Sequence, residues 1–267
     1  MISINGKNTD LIDADWDVLL ILDACRYDFF ERIYKDIIQQ ECTLKKARTF
    51  CSGTFDWMEN NFRNKDCSDI IYINCIVMFD KFMPNDTFFK VVKVWQSGWD
   101  YEYGTIIPQN MTNEAMFQTK LHPRKRVIVH YHQPHPPYLL SEYKNIDKIL
   151  TPKQIHLNFK EDGFGFFYQG KMRKWFGYER AWRWLIKLGI EPLDYYGKIY
   201  KKFGKEGLIR GYTENLKIVL RDVVELLEFI HIFQLNKKVV ITSDHSHNLN
   251  GDIRNLNEQF VPWLEIK

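Results

Sequence analysis

The segment Asp17 to Asp23 reads DVLLILD, five consecutive apolar residues closed at each end by a carboxylate. A run without alternation leaves no face for water, so it fits a strand buried on both sides, as in a parallel sheet covered by helices. A second run of this kind, Val239-Val240-Ile241-Thr242, follows Lys237-Lys238 and stops at Ser243-Asp244-His245. Arg126 to His130 (RVIVH) is a third. It comes just after Pro123, where a helix has to end, and breaks off at the turn-rich HQPHPPY. Ile70 to Val77 and Val91 to Trp95 are further expected strands. A helix is expected from about Arg26 to Gln40. Between Tyr212 and Ile230, residues Leu216, Val219, Leu220, Val223, Leu226, Leu227 and Ile230 recur at helical spacing. Strands alternating with helices predict an α/β fold with a largely parallel sheet. In open sheets of this kind, chemistry gathers at the carboxyl ends of the strands. Asp23, His135 and the pair Asp244-His245 all fall there.

The bulk properties narrow the function classes. A chain of 267 residues is long enough for one large domain and too short for two full α/β domains. The expected organisation is a single α/β domain over 1–267, with an insert or cap at about 139–205, where the alternation of strand and helix lapses. A net charge of +3 is only mildly basic; it gives no reason to expect a nucleic acid and is compatible with an anionic substrate. Five cysteines, Cys25, Cys42, Cys51, Cys67 and Cys75, include no CxxC pair, which argues against a disulfide framework or a cysteine zinc ribbon. The N-terminal residues lack a basic region followed by an apolar one, and the longest apolar runs fall far below a membrane span. With the free thiols, this gives a cytoplasmic protein as the expectation. Lys171 to Lys187 (KMRKWFGYERAWRWLIK) mixes basic and aromatic residues. It reads either as an amphipathic helix with its Trp and Leu residues inward, or as a grip on an anionic glycan, phospholipid head group or membrane surface.

Four segments carry residues suited to chemistry, each with a plainer reading beside it. Asp23 can hold a hard or borderline cation, or cap the helix that follows. In Phe50 to Trp57 (FCSGTFDW), a hydroxyl or thiol near a helix start can serve as a nucleophile favoured by the helix dipole, or as an N-cap. In His130 to Tyr138 (HYHQPHPPY), three alternating histidines look like metal ligands, with His135 in a proline-stiffened loop; an exposed loop histidine is the plainer reading. In Thr242 to Gly251 (TSDHSHNLNG), Asp244 and His245 supply adjacent oxygen and nitrogen donors, a mix that suits zinc or manganese, and His247 can join them.

Taken together and in this order, the segments resemble the alkaline phosphatase-like superfamily, in particular its archaeal and bacterial sulfatase-like branch. The matching pieces are Asp23 followed by Ala24-Cys25-Arg26-Tyr27-Asp28, and Gln133-Pro134-His135-Pro136-Pro137-Tyr138. The later ones are Tyr212-Thr213-Glu214-Asn215-Leu216, Val240 to His245, and the closing Val261-Pro262-Trp263-Leu264-Glu265. The resemblance implies a three-layer sandwich around a largely parallel sheet. It also implies a hydrolase or transferase for a phosphate or sulfate ester, with a small molecule or a surface glycan as the carrier. Asp23, Thr54, Asp244 and His245 would hold a divalent metal, zinc or manganese before calcium or magnesium, as one ion or two. Thr54 would be the nucleophile. His135 and Arg26 would meet the substrate.

Three departures set the alternative, a catalytically degenerate member that binds a glycan or anion. The sulfatase signature CxPxR is absent at Cys51-Ser52-Gly53-Thr54-Phe55. Ser246 stands where glycine usually follows the Asp-His pair. Only Ser246 to Phe260 separate that pair from the closing segment, so the loop that supplies a histidine for a second metal is missing, and His247 is its candidate replacement. A third reading, a cysteine-dependent enzyme using Cys51, predicts no metal requirement.

Overall fold

The computed structural model describes residues 2–4, 6–51, 53–147, 150–158, 187, 195–247 and 259–267. The main sheet is built from β1 (Ile2–Ile4), β2 (Lys7–Thr9), β3 (Val18–Leu22), β4 (Cys42–Thr49), β5 (Cys67–Asn74) and β6 (Phe88–Lys93). A small hairpin follows, formed by β7 (Trp99–Asp100) and β8 (Thr105–Ile106), and the chain then returns to the main sheet with β9 (Arg126–Tyr131), β10 (Val239–Thr242) and β11 (Gln259–Ile266). The helices are α1 (Tyr27–Ile37), α2 (Thr54–Phe62), α3 (Phe79–Phe82), α4 (Pro108–Leu121), α5 (Pro152–Asn158) and α6 (Tyr195–Ile232).

The sheet order is β2-β1-β4-β11-β10-β3-β9-β5-β6. The block β10-β3-β9-β5-β6 is parallel throughout, and β11, β4, β1 and β2 extend it in antiparallel fashion. Every residue of β3 is fully buried, because the strand feeds two cores. Val18, Leu20 and Leu22 pack with Phe30 of α1, Met111 and Ala115 of α4, and Leu216 and Leu220 of α6. Leu19 and Ile21 pack on the other side with Trp57, Met58 and Phe62 of α2 and Phe79 of α3. Helices therefore cover both faces, and the fold is an α/β three-layer sandwich of the layout that an alkaline phosphatase-like chain implies.

The runs expected to be strands are strands. Ile70 to Val77 is realised slightly earlier, and Val91 to Trp95 ends early because a short 3-10 turn takes over at Val94. The helix expected from Arg26 to Gln40 stops at Ile37, with the backbone of Ile38 already extended. The last helix begins at Tyr195 rather than Tyr212, so it claims part of the region expected to be an insert. Gly204 sits inside it at φ 68°, a left-handed conformation that breaks the helical path and is open to glycine without a steric cost. The segment Lys171 to Lys187 lies, apart from Lys187, outside the described residues. Among the described residues no helix is long and apolar enough to cross a membrane.

Candidate active site

The parallel block delivers Asp23 from the end of β3, His130 from the end of β9 and Asp244 from just beyond β10 to one place at the carboxyl edge of the sheet. All three side chains are buried, Asp23 with 6% exposure and the other two with none. The turn after β3 is tightly held: Ala24 adopts φ 59°, its amide donates to Asp244 Oδ1 at 3.0 Å, and the Cys25 amide donates to Ser243 Oγ at 2.8 Å. Tyr212 of α6 closes the turn from above. Its phenol donates to the Ala24 carbonyl at 2.8 Å and accepts the Arg26 amide at 2.8 Å.

Thr54 is the first residue of α2, and the N-cap position is Gly53, without a side-chain cap bond. The Thr54 hydroxyl is thus not spent on capping. It donates to Asp244 Oδ2 at 2.7 Å and lies 3.5 Å from His245 Nε2. That same Nε2 lies 3.5 Å from Asp23 Oδ1 and 3.6 Å from Asp244 Oδ2. The other ring nitrogen of His245 donates to the Ser246 carbonyl at 3.1 Å, which turns Nε2 toward the carboxylates. Asp23 does not cap α1 either; the N-cap there is Arg26, again without a side-chain bond.

Burial pushes the Asp23 carboxyl up, but the neighbouring imidazoles of His135 and His245, the latter also as a hydrogen-bond partner, outweigh it and hold Asp23 well below the ordinary carboxylate range. Burial presses the His245 imidazole down, and the Asp244 and Asp23 carboxylates overcome this and lift it to about 9. Burial takes His132 down to about 4, helped by His135, and His247 down to about 3, helped by His135 and His245.

Two buried atoms here have no hydrogen-bond partner among the described residues: Asp23 Oδ1 and His130 Nε2. A buried polar atom left unpaired costs roughly 1–3 kcal/mol, so a pair of them facing one carboxylate cluster calls for a ligand. Asp23, His130 and Asp244 offer ligand atoms all within 4.8 Å of one another. The Nδ1 atom of His130 is 2.7 Å from the Tyr72 hydroxyl; if it donates there, a lone pair on Nε2 faces the carboxylates. The residues fit a divalent cation, and the mixture of carboxylate oxygen and imidazole nitrogen favours zinc or manganese over calcium or magnesium.

No protein-family model matches the chain, and no curated protein matches it. Among solved structures it is similar to a Bacteroides thetaiotaomicron protein from a locus for the metabolism of multiple glycosaminoglycans, at 16% identity and a TM-score of 0.31 over 60% of this chain and 29% of that one. It is similar to YidJ of Bacteroides fragilis, named as a candidate sulfatase, at 17% identity and a TM-score of 0.32 over 61% of this chain and 31% of that one. It is also similar to the protein named Ps i-CgsB, at 11% identity and a TM-score of 0.43 over 95% of this chain and 66% of that one. The chain spans less than a third of the length of the two Bacteroides proteins. Superpositions this loose leave the chemistry to the residues themselves.

The remaining expected site residues stand at different distances from this centre. His135 lies in the Gln133–Tyr138 segment, 5.0 Å from His132 between ring centroids. His247 stacks with His135 at 6.3 Å, and its Nε2 is engaged by the Tyr196 hydroxyl. Arg26 extends beside Asp28, with Nε 2.9 Å and Nη2 2.7 Å from the carboxylate oxygens. Cys51 is buried, and burial together with Asp56 pushes its thiol up, away from the thiolate a cysteine nucleophile needs. His130 is one of the three histidines of the HYHQPHPPY segment that look like metal ligands, and the structure places it beside Asp23 and Asp244; Tyr72, against its Nδ1, was not among the expected site residues. The signal for His130 was a histidine near the end of a strand, straight after its Val-Ile-Val run. A cavity of about 300 Å³ opens next to His135, lined by Tyr103, Tyr138, Tyr143, Lys144, Tyr195 and Tyr196 among others.

Proposed function

We propose that the protein cleaves or transfers a phosphate or sulfate ester, with Thr54 as nucleophile and a divalent cation held by Asp23, Asp244, His245 and Thr54, with His130 Nε2 facing the same ion. The observation that carries this reading is the Thr54 hydroxyl. It sits at the first turn of α2, free of capping duty and hydrogen-bonded to Asp244 at 2.7 Å beside Asp23 and His245.

The cation, when bound, supplies charge that makes the Thr54 hydroxyl easier to ionise and offsets negative charge on the non-bridging oxygens of the ester. The residues do the rest. Asp244 Oδ2 orients the hydroxyl and accepts its proton as the Thr54 oxygen bonds to phosphorus or sulfur. The bond from phosphorus or sulfur to the alcohol oxygen breaks in the same displacement, and the alcohol leaves with a proton from solvent. The N-terminus of α2 favours the anion that forms on Thr54. Water or an acceptor alcohol then displaces Thr54 and returns its proton. The tyrosine-lined cavity beside His135 has the size and the flat apolar faces to receive the alcohol part of the ester, a sugar ring included.

Purified protein assayed against nitrophenyl phosphate, bis-nitrophenyl phosphate and nitrophenyl sulfate, with Mn²⁺, Zn²⁺ or EDTA, tests the proposal. Metal-dependent turnover should fall by at least about a thousandfold in Thr54→Ala. Turnover that persists in Thr54→Ala overturns the nucleophile. A protein that neither binds metal nor turns over any ester is the degenerate anion- or glycan-binding member instead.

A further inference from the structure

We propose a second divalent-cation site, held by Asp23, His132 and His135, so that Asp23 is shared between two ions. It deepens the reading above and rests on it for the first ion. Asp23, His132 and His135 place one ligand atom each within 4.8 Å of one another, a set distinct from Asp23, His130 and Asp244 although both contain Asp23. Both histidines have one nitrogen committed elsewhere. His135 Nδ1 lies 2.7 Å from the Pro136 carbonyl, which can only accept, so its proton is there and Nε2 carries the lone pair. His132 Nδ1 lies 3.0 Å from the Thr105 hydroxyl, which leaves Nε2 as the remaining donor. This is how metal-binding imidazoles are oriented, by a hydrogen bond on the nitrogen that does not bind.

The second observation is Asp23 itself. Its Oδ1 atom is buried and without a hydrogen-bond partner among the described residues, and a carboxylate has two oxygens with which to serve two ions. The histidine-bearing segment is also fixed in place, as a ligand set requires. Asn215 of α6 donates to the carbonyls of His135 and Pro137 at 3.3 and 3.1 Å and accepts the Leu139 amide at 2.8 Å. His247, the expected source of a second-metal ligand, has its Nε2 engaged by Tyr196. The loop after β9 thus brings two imidazoles to Asp23 from the other side. His135 becomes a metal ligand that reaches the ester through its ion, rather than a direct contact to the ester oxygens.

The experiment is metal stoichiometry on the full chain, stripped with EDTA, loaded with Zn²⁺ or Mn²⁺ and measured by elemental analysis after gel filtration and by titration calorimetry. The wild type should hold two ions, His132→Ala and Asp244→Ala one each, and Asp23→Asn should weaken both by at least about tenfold. His132→Gln, which keeps a polar side chain beside Thr105, should match His132→Ala, and circular dichroism melts confirm that each variant is folded. One ion in the wild type, kept in His132→Ala and lost in Asp244→Ala, overturns the second site while the ester-cleaving reading stands. Loss of a single ion in Asp23→Asn overturns the sharing. No ion in any protein removes both readings.

Discussion

The two ends of the parallel strands carry similar residue types and treat them in opposite ways. Where the strands begin, charges are wet and paired: Lys238 Nζ meets Asp15 at 2.7 Å with both side chains more than half exposed, the Lys238 amide donates to Asp17 at 2.8 Å, and Arg126 meets Asp69 at 2.7 Å. Where the same strands finish, Asp23, His130 and Asp244 are buried, and two of their polar atoms lack partners among the described residues. Water serves the first end and compensates any broken pair there. It cannot reach the second, where only a ligand or a charge of opposite sign restores what burial removed. Polar groups kept at such a cost single out the end of the sheet where the proposed chemistry would lie, whereas the charges at the other end have partners or water and call for no ligand.

If this contrast is right, the buried end should be the more sensitive to small changes in shape. Gly211 of α6 backs the segment that carries His135. A Cβ placed on it would lie 2.0 Å from Cδ2 and 2.4 Å from Cε2 of the Tyr138 ring, so ring or helix must move. Gly211→Ala is expected to lower stability by about 2–3 kcal/mol, read as a shift in the urea midpoint. It should also weaken metal binding, since Tyr138 lies three residues from His135. An Ala variant that unfolds like the wild type would show that the packing behind the site is slack.

A third kind of buried charge lies away from both ends. Asp222, on α6, is 9% exposed; burial, with Glu225 adding to it, pushes its carboxyl up to about 7. A carboxyl raised in the folded state holds its proton there more tightly than in the unfolded chain. Its contribution is therefore full below about pH 4 and is lost as pH rises through about 7. Asp222→Asn should remove that slope and raise stability at pH 8 by about 1–2 kcal/mol, the figure being modest because water reaches the edge of the group. Parallel denaturant melts of the two proteins at pH 5 and pH 8 check it. Equal differences at the two pH values would mean that Asp222 titrates normally.

Legibility of the sequence follows the same division. Val18 to Leu22 and Val239 to Thr242 announce themselves because a strand buried on both faces has to be apolar at every position. The acidic and basic residues that terminate them point to the edge where the site lies. The pair β4 and β11 is a different case: CTLKKART alternates weakly and is rich in lysine, and its register with QFVPWLEI appears only when Lys45 meets Glu265 across the strands at 2.6 Å. The candidate site is legible in its one-residue signals, Asp23, Thr54 and Asp244-His245, which the fold does bring together. Its convergence of His130, Tyr72 and Tyr212 is not, because those residues reach the Asp23 and Asp244 centre from separate stretches of the chain, and no local pattern encodes such a meeting. Tyr212 and Asn215 stand out in the sequence only as parts of a familiar segment. The structure gives them work: the first closes the Ala24 turn, and the second clamps the carbonyls around His135.

The smallest expected effect is the one that most directly separates the two ends. The pair Lys238–Asp15 bridges elements that the sheet already aligns, and its side chains are 64% and 79% exposed. Such a pair gains little in water and pays in side-chain freedom, and what it gains is screened within about 10 Å at 0.1 M salt. Lys238→Ala should leave the thermal midpoint unchanged within the scatter of repeated melts, and raising the salt should not alter that. Ester turnover and metal content should stay at wild-type values, since the substitution lies at the opposite edge of the sheet from Asp23 and Asp244. One charge lost from a strand start would then cost less than one methyl group added behind the site at Gly211. A Lys238→Ala protein that melted as early as Gly211→Ala would mean that the starts of the strands are under the same demand as their finishes, and burial alone would no longer explain why the polar groups gather where they do.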